Sequence, residues 1–105
     1  MRMMMTVSMP VEAGNAAAID GTLGSTIKKI LEATKAEAAY FTANNGERTG
    51  FIFFDLKKAS DIPGLVEPAF LALNARVNLQ PVMTAEDLAA AMPGIDKAVK
   101  AFARK

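Results

Sequence analysis

Two periodicities alternate along the chain and predict its secondary structure. Apolar and polar side chains alternate over residues 3–9, which predicts a β-strand that Pro10 ends. An apolar residue then recurs every three or four positions, which predicts a helix with one buried side. The residues of this stripe are Ile19, Leu23, Ile27, Ile30 and Leu31. Gly14, Gly21 and Gly24 disfavour a helix, so we expect its first half to be irregular.

Asn45-Gly46 gives the clearest local signal. This dipeptide is preferred in two-residue type I′ turns and lies between two β-rich runs, so it predicts a hairpin. Such a turn sets Tyr40 opposite Phe51, and residues opposite each other share a face of the sheet. One face of the hairpin then carries an aromatic cluster. Its residues are Ala38, Tyr40, Thr42, Phe51 and Phe53.

The next segment repeats the order of helix followed by strand. Ser60-Asp61, shortly before a proline, is typical of a helix start. The apolar spacing of residues 65–73 predicts the buried side of that helix. Alternation over residues 76–83 then predicts a fourth strand.

Two further helices are predicted after the fourth strand. Thr84 and Asp87 stand three residues apart, as in a capping box, which predicts a short helix ending near Met92. Pro93-Gly94 then separates it from a last helix. The buried side of that last helix consists of Ile95, Val99 and Phe102.

The order of elements is strand, helix, strand, strand, helix, strand, followed by helices. This is the order of the ferredoxin-like fold, which is an α+β fold. Right-handed crossovers place the first and third strands in the centre. We therefore expect a four-stranded antiparallel sheet of order 4-1-3-2 with helices on one face. No linker or repeat is recognisable, which predicts one domain over residues 1–105 with a helical extension over residues 84–105.

The two faces of the predicted sheet differ in character. The face towards the helices is apolar and consists of Met3, Met5, Val7, Phe41, Ile52, Phe54, Val77 and Leu79. The opposite face, called the open face below, consists of Met4, Thr6, Ser8, Ala38, Tyr40, Thr42, Phe51, Phe53, Arg76, Asn78 and Gln80. It is aromatic on the hairpin side and polar near the fourth strand.

An aromatic cluster left in water predicts a partner for the open face. We expect a second copy of the chain, and thus a homodimer. The expected interface residues are Phe51, Phe53, Tyr40, Met4 and Gln80. The alternative is that the C-terminal helix covers some of these side chains within the same chain.

Composition excludes several kinds of chemistry. The 105 residues include no histidine and no cysteine, which excludes a Ser-His-Asp relay, a thiol nucleophile and the usual zinc and haem ligands. We therefore expect no metal and no cofactor. Twelve basic and eleven acidic residues give no general attraction to nucleic acid or to anionic membranes. Since no signal peptide or apolar run of roughly 20 residues is recognisable, we expect a cytoplasmic protein without membrane association.

Three segments carry a resemblance to a known family. The start MMMTVSMP, the hairpin strand TGFIFFDL and the fourth strand VNLQPVM resemble an uncharacterised family of small ferredoxin-like proteins of the dimeric α/β-barrel superfamily. The resemblance covers roughly residues 1–88. The superfamily includes antibiotic-biosynthesis monooxygenase-like and muconolactone isomerase-like proteins. The resemblance implies that two sheets pack face to face in a homodimer and that a small molecule can bind between sheet and helices.

The function expected from these observations is small-molecule binding or an accessory, structural role. The candidate ligand-binding residues are Tyr40, Arg76, Asn78 and Thr6. The alternative is a cofactor-independent enzyme, monooxygenase-like or isomerase-like, in which Tyr40, Asp55, Glu37 and Arg76 supply acid–base or electrostatic groups. We favour simpler roles, in which these groups form hydrogen bonds across the dimer or lie solvated at strand ends.

RNA binding is the third interpretation. The run Gly50-Phe51-Ile52-Phe53-Phe54 partly resembles the third-strand signature of RNA-recognition motifs, whose aromatic residues stack on bases. Thr49 stands where that signature has a basic residue, and the first strand offers Met and Thr where a stacking aromatic is needed. We therefore do not expect nucleic acid as a partner.

Overall fold

The computed structural model describes residues 1–104, which form one four-stranded sheet and four α-helices. The strands are β1 (Arg2–Met9), β2 (Ala38–Asn44), β3 (Glu47–Asp55) and β4 (Arg76–Pro81). The helices are α1 (Val11–Ile19), α2 (Leu23–Thr34), α3 (Ile62–Leu73) and α4 (Ala85–Phe102), with a 3₁₀ turn at Ala59–Asp61. Among the described residues, no helix is both long enough and apolar enough to cross a membrane.

The sheet has the order β2-β3-β1-β4, and every neighbouring pair of strands is antiparallel. The central strand β1 pairs with both β3 and β4, so that Met5 lies opposite Ile52 on one side and Leu79 on the other. This confirms the prediction of an α+β, ferredoxin-like fold and the predicted strand order.

The β2–β3 hairpin has the predicted turn and register. Asn45 and Gly46 both have positive φ, 53° and 76°, as a type I′ turn requires. Tyr40 lies opposite Phe51, and Thr42 lies opposite Thr49. The twist of a type I′ turn matches the right-handed twist of paired strands, so this dipeptide can set the register of the whole hairpin.

The first helical segment is two helices, where the sequence predicted one with an irregular first half. Helix α1 ends just before Gly21, which has a φ of 81°, in the region that favours glycine. The Asp20 carboxylate accepts hydrogen bonds from the Thr22 backbone N–H at 2.9 Å and from its hydroxyl, which stabilises the break. Because α1 ends there, Ile19 is 87% exposed, and its predicted place in the buried stripe is wrong.

The core lies between one face of the sheet and helices α1, α2 and α3. Its buried apolar residues are Met3, Met5, Val7, Met9, Ala17, Ile30, Ile52, Phe54, Ala69, Leu73 and Ala75. Val77 and Leu79 pack against this core and are partly buried.

Phe41 departs from the predicted core, since it is 53% exposed. It belongs to the edge strand β2, where no further strand shields its outer side. Its ring lies over Gly50 on the neighbouring strand. A Cβ at Gly50 would come within 2.9 Å of the Phe41 ring, so glycine permits this approach.

The C-terminal segment is one continuous helix, α4, and the predicted division at Pro93-Gly94 is wrong. The predicted capping box at its start is present, because the Thr84 hydroxyl accepts from the Asp87 N–H and the Asp87 carboxylate accepts from the Thr84 N–H. None of the residues of α4 is buried, and α4 makes at most marginal contact with the other elements among residues 1–104.

Candidate functional site: the open face of the sheet

The open face of the sheet consists of three rows of side chains that run across all four strands. The first row is Ala38, Phe53, Met4 and Gln80. The second row is Tyr40, Phe51, Thr6 and Asn78. The third row is Thr42, Thr49, Ser8 and Arg76. The first two rows change from apolar or aromatic on β2 and β3 to polar on β4.

The aromatic half of the open face is a continuous surface. The rings of Tyr40 and Phe53 meet edge to face, with centroids 6.4 Å apart and an interplanar angle of 73°. Tyr40 is 67% exposed, while Phe51, Phe53 and Met4 are half-buried. Helix α4 does not bury these side chains within the chain, so the alternative of intrachain coverage is wrong for Tyr40 in particular.

The third row is closed over by an ion pair. Arg76 of β4 pairs with Glu47 of β3, so its side chain crosses β1, which lies between them. Beneath it, the Ser8 and Thr49 hydroxyls are 3.2 Å apart, and the Thr49 hydroxyl donates to the Glu47 carbonyl at 3.2 Å. Thr49 is therefore buried although it belongs to the open face.

The opposite end of the sheet also carries ion pairs. The Arg2 guanidinium donates to the Glu37 carboxylate at 2.9 Å, and this hydrogen bond raises the pKa of Arg2. A hydrogen bond from Lys57, with a second from the Met1 amino group, lowers the pKa of Asp55 to about 2. Glu37 and Asp55, both suggested as acid–base groups, are thus ion-paired at strand ends.

The structure brings together only some of the candidate ligand-binding residues. Thr6 and Asn78 are neighbours in the second row, and the Asn78 amide donates to the Gln80 side chain at 3.2 Å. Tyr40 stands at the other edge of that row, about 14 Å from Asn78 across three strand spacings. Arg76 lies in the third row, where Glu47 neutralises its charge. These four residues therefore do not converge on one point in a single chain.

The five candidate interface residues do share one area. Phe53, Met4 and Gln80 lie in the first row, and Tyr40 and Phe51 lie beside them in the second. Together they span the sheet from one edge strand to the other.

Two concave regions lie away from the open face. A small apolar cavity of about 20 Å³ lies between the helices and the sheet, bordered by Val7, Ile30 and Phe41 among others. It has room for about one water molecule. An open groove of about 690 Å³ follows the ends of α2 and β3 and contains both basic and acidic side chains, including Lys35, Lys57 and Asp61. Its walls come from the end of α2, the end of β3 and the start of α3 with their connecting segments, and no local sequence pattern predicts that these meet.

Sequence reasoning missed the extent of the apolar stripe on α4. The sequence assigned Ile95, Val99 and Phe102 to one buried side but separated them from Leu88 and Met92. In the continuous helix all five side chains belong to one stripe. Their spacing of four, three, four and three residues was the signal, and it continues through Pro93-Gly94.

The chain exposes more surface than a compact monomer of its size. Its accessible surface is 7297 Å², whereas the scaling for folded monomers gives about 5,700 Å² for a mass of 11.1 kDa. Its radius of gyration is 17.5 Å, against about 13 Å for a compact domain. The excess of about 1,600 Å² is about twice the roughly 800 Å² that each partner buries in a standard protein interface.

Residues 1–104 contain no group of three or more His, Cys, Asp or Glu side chains placed to hold a metal ion. They also contain no buried side-chain nitrogen or oxygen that lacks a hydrogen-bond partner. No unsatisfied polar group thus points to a ligand within the core.

Comparisons with known proteins support the fold and go no further. No protein-family model matches the chain, and no curated protein matches it in sequence. Among solved structures, it is similar to a formyltetrahydrofolate deformylase from Pseudomonas putida KT2440, with a TM-score of 0.50 and 14% identity over 78% of this chain. The chain spans only 29% of that enzyme. At this identity the likeness shows the ferredoxin-like fold alone, and membership of the dimeric α/β-barrel family stays a prediction.

Proposed function

We propose that this chain is a homodimeric ferredoxin-like module whose open face packs against the open face of a second copy. Its role is to bind a small polar molecule at that junction or to serve as an accessory subunit. The observation that carries the proposal is the continuous apolar area of Tyr40, Phe51, Phe53 and Met4, which no element within residues 1–104 covers.

Self-association would bury this apolar area, because it lies on an uncovered sheet face and carries aromatic side chains. A flat sheet face can pair with a copy of itself about a two-fold axis, so one surface serves both partners. Each half-exposed ring that becomes buried contributes part of the roughly 1.5–3 kcal/mol that full burial gives. Thr6, Asn78 and Gln80 border the same area and offer hydroxyl and amide groups, which favour a neutral polar ligand or a carboxylate.

The same geometry disfavours RNA as the partner. Base stacking on β1 would use Met4 or Thr6, the residues that lie opposite Phe53 and Phe51. Arg2 and Arg76, at opposite ends of the sheet, are each paired with a glutamate, so they add little net charge for phosphates. The glycine at position 50 does not require an RNA-binding signature, because the Phe41 ring packs over it and leaves no room for a larger side chain.

The proposal is tested by light scattering on a sizing column. We expect a dimer for the wild type and a shift towards monomer for Phe53→Glu and Tyr40→Glu, because each places a charge inside the interface. Tyr40→Glu changes an exposed side chain, so it separates association from folding. Phe70→Glu is the matched control, since Phe70 is a half-exposed phenylalanine on α3, outside the open face.

Two outcomes would contradict the proposed interface. One is a wild type that remains monomeric at the highest soluble concentration, and the other is an equal loss of mass for Phe70→Glu and Phe53→Glu. For the ligand, we expect small carboxylic acids or amides to raise the melting temperature of the wild type and not that of Asn78→Leu. Stabilisation by single-stranded RNA instead would favour the RNA-binding interpretation.

A further inference from the structure

Helix α4 carries an apolar stripe with the spacing of a coiled coil. The stripe consists of Leu88, Met92, Ile95, Val99 and Phe102, each between 43% and 84% exposed. Successive members are four, three, four and three residues apart, and Ala85 precedes Leu88 by three. This is the alternation of a and d positions in a heptad repeat, sustained over six positions.

The rest of α4 agrees with that assignment. Pro93 and Gly94 occupy b and c positions, away from the stripe, so the residues that weaken a helix lie on its outer side. Ala91 and Ala98 occupy g positions beside the stripe, where small side chains let a second helix approach closely. Lys97, at an f position, lies opposite the stripe.

The position of α4 leaves this stripe exposed, so that a partner helix can reach it. The helix contributes no buried residue to the domain and extends away from it, in a molecule 59 Å long and 21 Å thick. An 18-residue helix is about 27 Å long, which accounts for much of that length. Its exposed side chains contribute to the surface excess of about 1,600 Å² over a compact monomer.

We propose that α4 pairs with α4 of a second copy in an antiparallel arrangement. With the dyad between Pro93 and Gly94, every a position of one helix meets a d position of the other. The layers are Ala85 with Phe102, Leu88 with Val99, and Met92 with Ile95, and each occurs twice. One short stripe thus supplies six closed layers, and a two-fold axis shared with the sheet-to-sheet dimer keeps the assembly a closed dimer.

Charge favours the antiparallel arrangement over the parallel one. The first turn of α4 carries Glu86 and Asp87, and its second half carries Lys97 and Lys100 with one acidic residue, Asp96. Antiparallel pairing sets the acidic turn of each helix near the basic half of the other, and it also opposes the two helix dipoles. Parallel pairing would place Glu86 and Asp87 of both chains side by side.

This inference does not depend on the proposed sheet-to-sheet interface, since it concerns a different surface. The absence of cysteine allows a direct test with introduced cysteines in the full chain. In the antiparallel register, Leu88→Cys/Val99→Cys should link two chains under mild oxidation. Leu88→Cys alone should link them poorly, because the two positions would lie 11 residues apart along the axis, about 16 Å, beyond disulfide reach.

Ala90→Cys/Lys97→Cys is the matched control. These two positions meet at the same level of the antiparallel pair but lie on its outer side, so we expect little cross-linked dimer on a non-reducing gel. A second readout is Met92→Glu against Ala90→Glu in sedimentation velocity. Met92→Glu should raise the dissociation constant of the helix-mediated association roughly 100-fold or more, because it buries unpaired charges, and Ala90→Glu should not.

The outcomes separate this inference from the proposed function. Efficient linking by Leu88→Cys alone would mean a parallel pair and would overturn the antiparallel proposal. Absence of linking in the Leu88→Cys/Val99→Cys protein would overturn it too. If Met92→Glu nevertheless weakened association, α4 would dock on another surface, for example on the open face. If linking by the double variant persists in a Phe53→Glu background, the helix pair stands whatever happens to the sheet interface.

Discussion

Met5→Ala should strongly destabilise the folded chain, whereas the same substitution at Met92 should not. Met5 is fully buried at the centre of β1, between Ile52 and Leu79 on the neighbouring strands. Truncating a buried methionine to alanine removes apolar burial and leaves a cavity, at a cost of about 2–5 kcal/mol. A domain of this size has a total stability of only about 5–15 kcal/mol, so the loss is a large fraction of it.

Met92 is the matched comparison because it changes the same side chain on α4. It is about half-exposed, and no residue of α4 is buried in the domain. Alanine is also the better helix former, so the free energy of unfolding at low protein concentration should change by less than about 0.5 kcal/mol. If α4 pairs with a second copy, Met92→Ala should lower stability only as the protein concentration rises, because association stabilises the folded state by mass action.

The measurement is urea unfolding followed by circular dichroism, at several protein concentrations from low micromolar upwards. The midpoint should fall for Met5→Ala at every concentration, with each kcal/mol worth about 4–8 °C in a parallel thermal scan. A loss below about 1 kcal/mol for Met5→Ala would refute the placement of β1 at the centre of the core. An equal loss for Met92→Ala at the lowest concentration would refute the separation of α4 from the domain.

Three further predictions concern local contacts. Gly46→Ala should destabilise the hairpin by about 1 kcal/mol in denaturant unfolding, because residue 46 has a φ of 76°; an unchanged midpoint would contradict the type I′ turn. Thr84→Ala should remove the hydrogen bond that the Thr84 hydroxyl accepts from the Asp87 N–H and speed amide hydrogen exchange at the start of α4, at a cost to that helix of about 1 kcal/mol, while exchange in β1 stays as it was. The pKa of Asp55, held at about 2 mainly by Lys57, should rise in Lys57→Met when followed by carboxyl NMR. Because folding lowers this pKa, the ionised Asp55 stabilises the folded chain at pH values above the ordinary carboxyl pKa near 4, and that stabilisation is lost as the pH falls towards 2. Lys57→Met should therefore reduce the loss of stability between about pH 4 and pH 2.

Local sequence patterns predicted the turns, caps and strand faces, because these depend on interactions between residues close in the chain. Asn45-Gly46 predicted both the turn and the register, since few other dipeptides accept two consecutive positive φ values. Thr84 and Asp87 predicted the start of α4, because a capping box satisfies backbone groups within four residues. The alternation of β1 predicted its buried side, because successive side chains of a strand point to opposite faces.

The errors arose where packing competes with propensity. Pro93-Gly94 predicted a helix break, but α4 continues through both residues, and no contact within residues 1–104 explains this. Phe41 has the right parity for the core and is still half-exposed, because edge position depends on strand order. Ile19 fits the helical spacing but falls just before the Gly21 turn.

The sequence also predicted only part of the candidate site. Sequence determined which residues share the open face, since parity and the hairpin register place Phe51, Phe53 and Tyr40 together. It did not determine that Arg76 reaches across β1 to Glu47, because that ion pair joins two strands that are not neighbours in the sheet and that α3 separates in the chain.

By itself, then, the sequence determined the strands, their order and the character of each sheet face, because these depend on side-chain period, turn geometry and crossover handedness. Only the tertiary structure decided which apolar surfaces remain uncovered. The stripe of α4 looks like a buried surface in the sequence and is left exposed by the chain that carries it, whereas the open face was already predicted to lie uncovered. A hydrophobic pattern records that a surface favours burial, whereas the path of the chain in space decides whether its own elements can reach that surface.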